Sequence, residues 1–158
     1  MPFNHPSTAA LLEQAIALAL HAHAGQLDDD GSPYILHPLR VMLSLPRSAT
    51  PEQRMAAVLH DTLEHTALTE GDLRAAGIPA AVIDAVRTLT RPEHESRLEA
   101  TRRAAAHPIA RAVKRCDIRD NMDLSRIPRP SPADHARMQE YRQALALLES
   151  MHDRSASG

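Results

Sequence analysis

The apolar positions of this chain recur every three to four residues along most of its length, and no segment sustains the apolar–polar alternation of a strand. Ser7 and Thr8 open an apolar-periodic segment that runs to about Ala24, where an acidic, glycine-containing loop at 26–32 stops it. Pro33 then starts a second helix continuing to about Leu45. Thr50, Pro51 and Gln53 read as a capping box with proline at the first helical position, introducing a helix through about Thr62. Thr69 caps a short helix ending near Gly77, Pro79 begins the next up to about Leu89, and Arg91 with Pro92 breaks the pattern. Further helices are expected at about 95–106, 108–124 and 132–151, the last opened by Ser131 and Pro132, with a rigid proline loop at 128–132 and a frayed tail at 155–158. The pattern predicts an all-α domain of about seven or eight helices over residues 1–154.

Composition narrows the picture. A chain of 158 residues is about one domain long, and with aromatics at 2% and no Trp its core must be filled by Leu, Ala, Ile, Val and Met. The single cysteine, Cys116, excludes an internal disulfide and a multi-cysteine zinc site, and reads as a small buried side chain. The apolar run near 11–20 carries Glu13 and Gln14 and lacks a basic region before it, so it reads as part of an amphipathic helix and not as an export signal. No apolar stretch is long enough to span a bilayer, and a cytoplasmic location is expected. Charge is unevenly distributed: residues 1–80 hold 4 Lys/Arg against 9 Asp/Glu, whereas residues 85–129 hold 11 against 6. An acidic half and a basic half could supply a metal and a grip on a polyanion, or could be solvated helix faces.

Three segments carry candidate chemistry. In the apolar run from Ala56 to Thr66, His60 and Asp61 stand side by side and Glu64 follows one turn later, so the three can converge at one helix edge. Imidazole and carboxylate suit divalent ions such as Mn, Fe or Zn, although a salt-bridged His-Asp pair is the commoner arrangement. His37, in Pro33-Tyr34-Ile35-Leu36-His37-Pro38, sits on the first turn of a helix, where it could equally be a capping residue. Lys114, Asp117 and Asn121 share one helix face and could meet a phosphate, a metal and a water, or form an exposed ion pair. Arg119 and Asp120 point elsewhere and read as surface residues.

Together these segments resemble the HD-domain phosphohydrolases, and among them the hydrolase domain of the Rel–Spo alarmone enzymes and their small stand-alone relatives. The matching stretches are Ala22-His23-Ala24-Gly25-Gln26, residues 31–38, residues 56–66, Val86-Arg87-Thr88-Leu89-Thr90 and residues 113–122. The resemblance implies a compact HD-domain bundle holding one divalent metal ion, manganese first with iron or zinc as alternatives, on His37, His60, Asp61 and Asp117. It implies that Glu64 orients or deprotonates the reacting water, with His65 beside it as the second candidate catalytic residue. Lys114, Asn121, Tyr34 and the loop residue Asp28 are the corresponding candidates for substrate contact, and His23 reads as structural or pocket-lining.

The implied reaction is hydrolysis of a phosphate ester or pyrophosphate of a nucleotide, guanosine 3′-pyrophosphate first. Another nucleotide or small phosphoester, or a non-catalytic nucleotide-binding module, is the alternative. Two positions depart from the alarmone hydrolases: His65 replaces an acid, and Asp28, Asp29 and Asp30 stand where they carry a basic residue. An acidic loop facing the pocket should repel a highly charged nucleotide. His21, His94, His107 and His135 read as surface or capping residues. Nucleic-acid binding is not expected, because no aromatic platform accompanies Arg102, Arg103, Arg111 and Arg115.

Overall fold

The computed structural model describes residues 6–156, with side chains described through residue 152. Nine α-helices form among the described residues: α1 (Thr8–Ala22), α2 (Leu36–Ser44), α3 (Pro51–Leu59), α4 (Thr62–His65), α5 (Glu70–Ala75), α6 (Ala80–Leu89), α7 (Arg97–Ala105), α8 (Pro108–Asn121) and α9 (Pro132–Ala156). A 3₁₀ turn at Leu124–Arg126 joins the last two. With the single-turn α4 set aside, eight helices remain, as the periodicity predicts. No described strand is present beyond one bridge between Leu27 and Pro33, and no described helix is long and apolar enough to cross a membrane.

α3 is the hub. Met55, Ala56, Ala57, Val58 and Leu59 are all fully buried, and the small residues among them let α1, α2, α6 and α8 pack around one helix. A second apolar cluster, Ala105, Ile118, Met138, Tyr141, Ala144 and Leu148, joins α7, α8 and α9. α8 touches both clusters, which places its residues between the two halves of the chain.

Local signals set most helix starts. Ser7 caps α1, His107 caps α8, and reciprocal capping boxes open α3 (Thr50, Gln53), α5 (Thr69, Asp72) and α7 (Ser96, Glu99). Gly25, at φ 82°, turns the chain out of α1. Three boundaries differ from expectation. Pro33 does not start α2: its neighbours pair across the loop, and the helix begins at Leu36. The helix from Pro51 does not pass through the His60–Asp61 doublet. His60 Nδ1 donates to the Ala57 carbonyl at 2.7 Å and Thr62 Oγ1 to the Leu59 carbonyl at 2.8 Å, so side chains take acceptors that a further turn would use. α9 runs on to Ala156 instead of fraying at 155, while residues 157–158 of the expected tail lie outside the described residues.

Replacing Thr50 by Ala is expected to lower unfolding free energy by about 1 kcal/mol. Leu59→Ala, which opens a cavity at the hub, is expected to cost about 2–5 kcal/mol. Urea unfolding of the two variants checks the order; equal losses would mean that α3 does not organise the core.

Candidate active site

α2, the α3–α4 break and α8 converge on one cluster. Because the Ala57 carbonyl can only accept, His60 carries its proton on Nδ1, and its Nε2 is left as a buried nitrogen without a hydrogen-bond partner. His60 Nε2 lies 3.1 Å from Asp61 Oδ2 and 3.5 Å from Asp117 Oδ1. His37 Nε2 approaches the same two carboxylates at 3.5 and 3.3 Å, while its Nδ1 donates to Asp120 at 2.7 Å. Both imidazole nitrogens therefore approach both carboxylates: His37, His60 and Asp117 offer ligand atoms within 4.8 Å of one another, and Asp61, close to both rings, groups in the same way with Glu64 and His65.

The electrostatics are those of a site built around carboxylates. Burial pushes Asp61 up, but His60 and His37 outweigh it and hold its pKa below the usual carboxylate range. Asp117 is likewise opposed by burial and held well below that range by Lys114, His37 and His60. Burial disfavours the charged form of both histidines, yet the carboxylates raise His37 and carry His60 well above an ordinary imidazole. Tyr34 donates to Asp61 Oδ2 at 2.5 Å, and burial followed by Asp61 drives its hydroxyl pKa far up, so it remains a donor. Lys114 Nζ sits 3.1 Å from Asp117 Oδ2, and the Asn121 amide donates to Asp117 Oδ1 at 2.8 Å.

The residues fit a divalent ion. Metal-ligating histidines characteristically donate their second N–H to a carbonyl or carboxylate, as both rings do here. His60 Nε2, buried and without a hydrogen-bond partner of good geometry, faces two carboxylate oxygens, and two His with two Asp suit Mn, Fe or Zn.

Above the cluster lies a cavity of about 230 Å³. Tyr34, Glu64, His65, Lys114 and Asn121 line it with the four candidate ligands, so the structure brings these predicted residues together. Glu64 is part-buried, and the ligating atoms of Asp61, Glu64 and His65 lie within 4.8 Å of one another. His65 is half exposed, 3.8 Å from Glu64. Asp28 is not brought in: it stands outside the cavity wall, with Oδ2 3.9 Å from Arg40. His23 is almost fully buried and donates from Nδ1 to Gln26 Oε1 at 2.8 Å, while Gln26 Nε2 donates to the His65 carbonyl at 2.8 Å. That bond ties the end of α1 to α4.

The reading of Asp120 as a surface residue is wrong. Its side chain is 12% exposed and takes bonds from His37, from Arg40 at 2.9 and 3.1 Å, and from Arg126 at 3.3 Å. Burial raises the Asp120 pKa, but His37 and Arg40 lower it further, to about 2. Position on α8 alone hides this, because the partners come from α2 and the 3₁₀ turn. Arg91, Arg97 and Tyr141 also line the cavity and were not named from the sequence as site residues. Arg97 lies 4.3 Å over the Tyr141 ring and 3.1 Å from Glu140. The only sequence signal for Arg97 is its place as the first residue of a capped helix.

Comparison with known proteins follows the same line. The family model described as HD domain matches residues 15–118. The guanosine-3′,5′-bis(diphosphate) 3′-pyrophosphohydrolase MESH1 of Mus musculus is 33% identical over 145 residues, covering 85% of this chain and 80% of that protein. The guanosine-3′,5′-bis(diphosphate) 3′-pyrophosphohydrolase of Aquifex aeolicus is 36% identical over 72 residues, 45% of this chain, and the match spans only 10% of that longer protein. A solved structure of a metazoan ortholog of SpoT, described as hydrolyzing ppGpp, shares the fold with a TM-score of 0.74 at 23% identity, over 92% of this chain and 87% of that one.

Gently purified protein is expected to hold about one divalent ion per chain, the number a single two-His, two-Asp site accommodates. Elemental analysis checks it. An Asp61→Ala, Asp117→Ala double variant should fall to background, and metal content equal to that of the unmodified chain would remove the assignment.

Proposed function

The chain belongs to the HD domain family, and from that premise we propose that it is a metal-dependent phosphohydrolase of nucleotides whose first substrate is guanosine 3′-pyrophosphate. The observation that carries the proposal is the juxtaposition of His37, His60 and Asp117 with Asp61 and Glu64 in a cavity whose wall also carries Lys114, Arg91 and Arg97. Support for the substrate comes from the activity named for the mouse relative, which matches most of this chain.

His37, His60, Asp61 and Asp117 would hold the ion, for which manganese is the proposed identity and iron or zinc the alternatives. An ion there supplies Lewis acidity toward water and a phosphoryl oxygen. The remaining work falls to the chain. Glu64 accepts the proton of the attacking water, whose oxygen joins the phosphorus bearing the 3′-oxygen. The bond between that phosphorus and the 3′-oxygen breaks, releasing pyrophosphate and the 3′-hydroxyl. To His65, 3.8 Å from Glu64, we assign the return of a proton to the departing oxygen. Lys114, Arg91 and Arg97 meet the phosphate charge, and Asn121 and Tyr34 fix the ligands they touch while lining the pocket.

The cavity of about 230 Å³ would take the pyrophosphate group. Asp28, outside the cavity wall, lies 3.9 Å from Arg40, which offsets part of the acidic loop's charge.

The test is incubation of manganese-loaded protein with a panel of nucleotides that includes the alarmones, with the products identified. Guanosine tetraphosphate should give guanosine diphosphate and pyrophosphate. Glu64→Gln should retain metal yet lower kcat roughly a hundredfold or more, as loss of a general base does. Full activity of that variant would leave Glu64 without this role, and metal-loaded protein that turns over no member of the panel would overturn the assignment.

A further inference from the structure

The two histidines of the cluster are held by different devices. His60 is fixed by a main-chain acceptor, the Ala57 carbonyl, which no side-chain substitution removes. His37 has no such anchor: its Nδ1 partner is the Asp120 carboxylate at 2.7 Å. That carboxylate is itself gripped. Arg40 gives Nε to Oδ1 at 2.9 Å and Nη2 to Oδ2 at 3.1 Å, and Arg126 gives Nη2 to the Asp120 main-chain oxygen at 2.6 Å and to Oδ2 at 3.3 Å. Asp120 is not among the side chains that line the cavity.

We propose that Asp120, clamped by Arg40 and Arg126, is a positioning residue that orients His37 for metal binding. A neutral imidazole has one N–H and one lone pair, and whichever nitrogen finds an acceptor keeps the proton. With Asp120 accepting from Nδ1, the lone pair of His37 lies on Nε2, the atom that faces Asp61 and Asp117. Without Asp120 the ring can take the other tautomer or turn about its χ2 bond, and either removes the donor from the cluster. Arg40 makes the arrangement stiff. It stands three residues after His37 on the same helix, so α2 presents both the ring and the cation that fixes the ring's acceptor. The guanidinium fork holds both carboxylate oxygens, which sets the plane from which Oδ2 meets His37.

This inference rests on the metal reading of the site. It is tested by chelator competition for Mn²⁺, comparing the unmodified chain with Asp120→Asn, Asp120→Ala and Arg40→Gln, alongside circular dichroism and thermal unfolding. Asp120→Ala should weaken Mn²⁺ binding about 10- to 100-fold, the usual effect of losing the outer partner of a ligating histidine. Asp120→Asn keeps an acceptor without the charge and should fall between. Arg40→Gln, which frees the carboxylate without removing it, should lose less than Asp120→Ala. A purely structural role would lower thermal stability in these variants without producing that graded order in metal affinity. Should Asp120→Ala fail to fold, the isosteric Asp120→Asn decides: weaker Mn²⁺ binding supports the proposal and unchanged binding overturns it. An unmodified chain that binds no divalent ion would overturn this inference and the metal reading together, whereas Asp120→Ala that folds and binds Mn²⁺ as tightly as the unmodified chain overturns this inference alone.

Discussion

Asp61 and Asp117 place two carboxylates, 9% and 7% exposed, within reach of the same pair of imidazole nitrogens in the interior of a helical bundle. Left without compensation, each would cost several kcal/mol or give up its charge. The structure compensates them from every side: His37 and His60 across the gap, Lys114 and Asn121 along α8, and the Tyr34 hydroxyl from the loop before α2. Protons on the two imidazoles and a divalent ion are alternative sources of positive charge for the same carboxylates. The helical framework is arranged to bring these compensating groups together. The break after Leu59 aims His60, the delayed start of α2 frees Tyr34 to reach Asp61, and α8 threads between two apolar clusters carrying Lys114, Asp117 and Asn121 on one face.

Features that depend on a few neighbouring residues were legible before any coordinates. The capping box of Thr50 and Gln53 names its own helix start because both bonds span three residues. The His60–Asp61 doublet and the stripe of Lys114, Asp117 and Asn121 are local patterns as well, and the resemblance joined them to His37. What escaped was set by distant partners. The interruption after Leu59 follows from the His60 and Thr62 side chains taking carbonyls at the end of a fully buried run, where periodicity is silent because every position from Met55 to Leu59 is apolar. Asp120 looked like a surface acid because its arginines lie 80 residues earlier and six later, and only packing of α2 on α8 brings them to it. Arg97 reads from the sequence as one more charge at a helix start, and its place over Tyr141 needs α9 in position.

The uneven charge of the chain also takes on a geometric meaning. The cavity draws Asp61 and Glu64 from the acidic half and Arg91, Arg97 and Lys114 from the basic half. The cavity wall therefore carries both signs of charge, carboxylates and cations together. α8 supplies both signs itself, through Asp117 and Lys114.

The loop between α1 and α2 is closed at its own base. Tyr34 N–H donates to the Gln26 carbonyl at 2.9 Å, Asp28 N–H to the Ser32 carbonyl at 2.8 Å, and Leu27 bridges Pro33. Gln26 and Tyr34 reach the His65 carbonyl and Asp61 from that base, and beyond it Asp28 Oδ2 lies 3.9 Å from Arg40. Gly31, at φ 80°, closes the tip, while Ser32 satisfies Asp30 within the loop. Apart from that one contact the segment is closed on itself, so its charge and length can drift while the base that carries Gln26 and Tyr34 stays where it is.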